Sequence, residues 1–163
     1  MPTPVTPTPL TPAAQAPLPA DVAAMLPHPS PDDEGTRMLL IAARRMAVHG
    51  LHDASAAMLM LRTYGIHFRK PLVLLRAFLM EASQGARRDI RIAPCCMPRL
   101  TEHEGAMLMG LANARHNGAL ASAYLAQFNG QAVNAALLAT ARALAHSLAD
   151  IGRAIDYAPD VEF

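Results

Sequence analysis

Tryptophan is absent from this chain, lysine occurs once, at Lys70, and only two of the 163 residues are cysteine. Each scarcity removes a class of explanation. Cys95 and Cys96 are adjacent, and a bridge between neighbours closes a strained ring, so no disulfide framework holds this fold and both thiols are expected reduced, as in a cytoplasmic protein. Aromatic residues make up 4% of the chain against 52% for apolar residues as a whole. The core must therefore be built from Leu, Ala, Met, Ile and Val, a mixture that suits helices better than sheets. Apolar runs such as 38–43 and 72–75 are too short to span a bilayer and are interrupted by arginine, so no membrane association is expected. The first residues carry neither the basic nor the apolar segment of a secretory signal.

Proline, by contrast, is plentiful and unevenly placed: ten of fourteen lie within the first 31 residues. Residues 1–31 therefore read as a disordered, polyproline-like tail with room for one helical turn over 21–26, and residues 32–157 as a single domain able to bury its own core. Within that domain the apolar spacing predicts a compact all-α bundle of five to six helices. The first opens at Asp32-Asp33-Glu34 and stops at Gly50; the second opens at Asp53 and stops before Gly65. The third starts near Pro71 and is apolar on nearly every face from Leu72 to Met80, which predicts the central position for it. Charged and apolar residues alternate over 87–92, as in an extended connector with Ile90 and Ile92 turned inward. Thr101 with Glu104 three residues on is a capping-box pattern and opens a fourth helix. Two more are expected over 119–128 and 131–150.

Eleven of the fourteen basic residues fall between Arg37 and Arg99, against only Asp53, Glu81 and Asp89. A basic middle suggests an anionic partner or self-neutralisation within the fold. It does not suggest nucleic acid: the segment placed like a recognition helix begins with Pro71 and continues as an apolar run that belongs in a core.

The one stretch with chemistry in it is Pro94-Cys95-Cys96-Met97-Pro98-Arg99-Leu100-Thr101. Both thiols precede a helix start and have Arg99 nearby, features that favour thiolates. There is no Cys-x-x-Cys, the Cys-to-Arg spacing of phosphatase loops fails from either cysteine, and a cysteine nucleophile, the third reading, would need a His brought in from elsewhere in the fold. Two thiolates with His49, His52 or His103 would make a zinc-type donor set, with Asp53 adjacent. Against that, a His at a helix C-terminus is more commonly a cap. Arg99, with the free N–H groups beyond Thr101, resembles an anion-binding cradle, although Glu102 and Glu104 already supply negative charge there.

The strings Arg44-Arg45-Met46 with His49-Gly50-Leu51, 68–77 around Lys70-Pro71, and 94–101 together resemble an uncharacterised family of small bacterial helical proteins of unknown function. Its most specific string is Pro-Cys-Cys-x-Pro-Arg-x-Thr, and the likeness covers about 37–150. The resemblance implies no activity. The residues themselves lead to a small cytosolic protein that binds a metal such as zinc, or senses oxidants, through Cys95 and Cys96. The alternative is an adaptor that docks on a protein partner through Arg87 and Arg88 or through the tail, with the cysteines only packed.

Overall fold

The computed structural model describes residues 20–159, so most of the expected proline-rich tail, residues 1–19, lies outside the described residues. The elements in chain order are α1 (Ala20–Met25), β1 (His28–Pro29), α2 (Glu34–His49), α3 (Ala54–Tyr64), α4 (Arg69–Gly85), β2 (Arg99–Leu100), α5 (Glu102–Asn113), α6 (Gly118–Asn129) and α7 (Ala135–Asp150), with a 3-10 turn over Gly65–His67. The architecture is all-α, and the domain after residue 32 holds six α-helices among the described residues.

Short polar side chains decide where the helices begin. Asp33 accepts the Thr36 N–H at 2.7 Å and Asp53 accepts that of Ala56 at 2.7 Å, opening α2 and α3. Asn117 and Asn134 do the same for α6 and α7. Asn134 is why α7 starts at Ala135 rather than near Gln131. Gly50, at φ 96°, ends α2 in a conformation that other residues rarely adopt.

The helices pack chiefly as α2 on α3, α4 on α7 and α5 on α6. The centre is α5 rather than α4. Val73 and Met80 of α4 are 60% and 42% exposed, whereas Glu104 to Leu108, Gly110 and Leu111 of α5 are all buried. Side-chain size explains the difference. A β-carbon at Gly110 would lie 2.7 Å from Leu125 Cδ2, and one at Gly105 would collide with the His28 ring, so the two glycines let neighbours close on α5 from both sides. An apolar run covers surface, but small residues admit a neighbour to the middle.

Residues 26–31, proline-rich as they are, are strapped across this centre. His28 and Pro29 pair antiparallel with Leu100 and Arg99, the Tyr157 hydroxyl donates to the Pro29 carbonyl at 3.1 Å, and Leu26 is buried. The connector between α4 and β2 follows the predicted alternation only in part. Ile90 packs against the core, but Ile92 is 37% exposed and Ala93 is the buried residue. The Ala93 N–H donates to Glu104 Oε1 at 3.1 Å, which turns Ala93 inward.

Gly105→Ala should displace His28 and loosen the strap, costing about 1–3 kcal/mol of stability as overpacking does. Thermal unfolding with limited proteolysis at residues 26–33 checks this. Gly110→Ala, which crowds Leu125 instead, should destabilise without exposing the strap.

Candidate functional site

Pro94 and Pro98 cannot donate main-chain hydrogen bonds, so the segment between α4 and α5 cannot join a helix or a full ladder and has to find other partners. It folds as a turn. The Met97 N–H donates to the Pro94 carbonyl at 2.9 Å, which puts Cys95 and Cys96 at the two central positions. Their sulfurs are 3.6 Å apart, with Cys95 half-buried and Cys96 exposed.

Beneath the turn lies a buried ion pair. Arg44 is 2% and Glu104 3% exposed at the side chain, and Arg44 Nε donates to Glu104 Oε1 at 2.7 Å while Nη2 donates to Oε2 at 2.9 Å. The remaining donors of Arg44 go to main-chain carbonyls: Nη1 to Met97 at 2.8 Å and Pro94 at 3.3 Å, Nη2 to Arg99 at 2.8 Å. All five N–H groups of a guanidinium are thereby used. Glu104 is equally occupied, since it also accepts the Ala93 N–H at 3.1 Å and the Thr101 N–H at 2.9 Å. The last of these completes the capping box, with Thr101 Oγ1 accepting the Glu104 N–H at 3.1 Å.

Arginine on an amphipathic helix ordinarily takes the polar face, but Arg44 of α2 is buried. Its position four residues after buried Leu40 is the signal that it faces inward. Arg45 does face outward: it donates to Asp53 at 2.9 Å, half-exposed. That bond, and to a lesser extent the nearby Cys95, raises the Arg45 pKa, so Cys95 has a guanidinium in its neighbourhood. The Cys96 thiol is pushed up, first by its hydrogen bond with Cys95 and then by the repulsion between two thiolates. The pair gives up its second proton reluctantly.

The other residues singled out by the sequence lie apart from this turn or are engaged elsewhere. Arg99 uses Nε and Nη2 to hold the Leu26 and Pro27 carbonyls at 2.7 and 2.9 Å, so its fork ties down the strap. His49 and His52 are exposed at the α2–α3 junction, and His49 helps Arg45 keep Asp53 below the usual carboxylate range. His103 Nδ1 accepts the Arg91 N–H at 3.1 Å. It lines a polar cleft of about 520 Å³ with Arg88, Asp89 and Arg91. Among the described residues no three His, Cys, Asp or Glu side chains gather as a metal site, so Cys95 and Cys96 come together without His49, His52 or His103. Likewise, among the described residues no helix is long and apolar enough to cross a membrane.

The profile of a family described as "Family of unknown function (DUF6628)" matches residues 20–155. The chain belongs to this family. No curated protein and no solved structure matches it. In this member the family region takes in the strap, the clamp of Arg44 and Glu104, and the cysteine turn.

Two outcomes follow. Arg44→Met strands the buried Glu104 carboxylate and takes the donor from three carbonyls, and should destabilise the domain by about 3–5 kcal/mol, as removal of one partner of a buried pair does. Combining it with Glu104→Gln should recover part of that loss in thermal or denaturant unfolding. His28 and His103 are both held below the ordinary histidine range, chiefly by burial. A histidine depressed on folding contributes stability that is full above its unfolded pKa and is lost as pH falls through the lower folded value. Melting temperature should therefore drop on going from about pH 7.5 to about pH 5.5. The drop should shrink in His103→Gln, whose parent imidazole accepts the Arg91 N–H only when neutral.

Proposed function

We propose that the Cys95–Cys96 turn binds a soft, thiophilic metal ion through its two thiolates. The observation that carries this reading is the 3.6 Å separation of the two sulfurs on a turn whose backbone Arg44 already holds. A disulfide bond is about 2.0 Å long, so joining the sulfurs to each other would require the turn to give. A metal with bonds of about 2.3 Å to each sulfur spans about 3.8 Å at a tetrahedral angle. The pair is thus spread as a chelate needs it, and the ordering of the backbone, which binding would otherwise have to supply, is done in advance.

The chemistry follows from the protons. The incoming cation replaces both thiol protons, the second against the repulsion of the first thiolate, so uptake releases acid and strengthens as pH rises. Zinc would have to draw two further ligands from outside the pair. The contact between the sulfurs supports a second reading, oxidant sensing. A hydroperoxide taking two electrons and both thiol protons from the pair would leave a disulfide, water and an alcohol, and the donor set would be gone. Such a bridge between neighbours is strained and readily reduced.

Titration of the reduced protein with Cd(II), followed by thiolate-to-metal charge-transfer absorption, tests the binding. One equivalent per chain should bind, both thiols should become protected from alkylation, and apparent affinity should rise with pH. The reading fails if the reduced protein takes up no stoichiometric ion while both thiols alkylate as ordinary cysteines. It also fails if the Cys95→Ala, Cys96→Ala protein binds as well as the parent.

A further inference from the structure

Resting on that reading, we propose that the preferred ion is a soft monovalent d10 cation, Cu(I) or Ag(I), held by three sulfurs with the Met97 thioether as the third donor. Cys95, Cys96 and Met97 are consecutive. Met97 closes the same turn: its N–H donates to the Pro94 carbonyl at 2.9 Å and its carbonyl accepts from Arg44 Nη1 at 2.8 Å. Its backbone is therefore held by the same bonds that fix the two cysteines. Met97 is half-buried, and its unbranched side chain has three torsions with which to bring sulfur to a neighbouring residue.

Donor chemistry then selects the ion. Thiolate and thioether together are soft ligands of the kind that favour Cu(I), whereas zinc is completed by four ligands, commonly including imidazole or carboxylate. Among the described residues no three His, Cys, Asp or Glu side chains converge, so the pair has no hard or borderline partner to complete a tetrahedron. Three sulfurs complete a trigonal monovalent centre without one. Two thiolates and a monovalent cation leave one negative charge, which water solvates at the exposed Cys96 end of the turn. Binding exchanges two thiol protons for the cation, and no electron moves.

The test uses the full-length reduced protein under anaerobic conditions, with Cu(I) offered from its bathocuproine disulfonate complex and Ag(I) as a redox-inert second probe. The parent should take one Cu(I), and X-ray absorption at the copper edge should show three sulfur neighbours. Met97→Leu, of similar volume and with the same main-chain bonds, should retain Cd(II) on the cysteine pair. It should hold Cu(I) and Ag(I) about tenfold or more weakly, with two protein sulfurs on copper, as loss of one soft donor implies. Two sulfurs on copper in the parent, or unchanged Cu(I) affinity in Met97→Leu, overturns the assignment of Met97. Uptake of Cd(II) without Cu(I) overturns the choice of ion and leaves the metal-binding reading intact. Uptake of neither overturns both. If Met97→Leu melts well below the parent, the sulfur count in the parent decides alone.

Discussion

The backbone from Ala93 to Thr101 depends on the Arg44–Glu104 pair. Burying two charges is expensive, and their mutual attraction offsets the cost only when the leftover donors and acceptors are also satisfied. Here they are, because the pair does for residues 93–101 what a sheet or helix does elsewhere. Arg44 takes the carbonyls of Pro94, Met97 and Arg99, and Glu104 takes the N–H groups of Ala93 and Thr101. A segment broken by two prolines is thereby held without regular secondary structure. The same pair joins α2 to the first turn of α5 across 60 residues of sequence.

The strap extends this arrangement outward. Arg99 gives its main-chain carbonyl to Arg44 on the inner side and uses its guanidinium to hold Leu26 and Pro27 on the outer side. One residue thus links the buried clamp to the N-terminal segment, and β1 with β2 adds a short ladder at the same place. Gly105 lets the His28 ring lie directly on α5, so the strap sits close above the helix that the clamp positions. The glycines of α5, rather than the long apolar run of α4, define the middle of the molecule.

What the sequence discloses and what it hides divide by range. The caps at Asp33, Asp53 and Thr101 with Glu104 are legible because each is a contact across three residues and the spacing states it outright. The six helices of the domain are legible for the same reason, since their punctuation is local. The second role of Glu104 is not, because its partner is 60 residues away and a capping box already accounts for the residue. The contest between α4 and α5 misleads for a related reason: hydrophobicity can be counted along a chain, but close approach depends on which neighbour arrives. For the histidines, nearness to the cysteines or to each other in a loose pattern carries no geometry, and His103 meets the Arg91 backbone instead. The cysteine turn itself is half legible. Pro94 and Pro98 announce a constrained loop, but the guanidinium that holds it lies in another helix.

The clamp grips only main chain. Pro94, Met97 and Arg99 offer carbonyl oxygens to Arg44, and the Pro94–Met97 turn closes through a backbone N–H, so no side chain at positions 95 or 96 takes part in holding the tip. Architecture and chemistry are therefore uncoupled at this point. The helical body works like a tool handle with a fixed socket, and the two residues in the socket can be exchanged without rebuilding the handle. A lineage could lose the thiols and keep an intact domain, or acquire a different reactive pair in one step. A protein engineer could use the same two positions to mount a chosen functional group on a small scaffold.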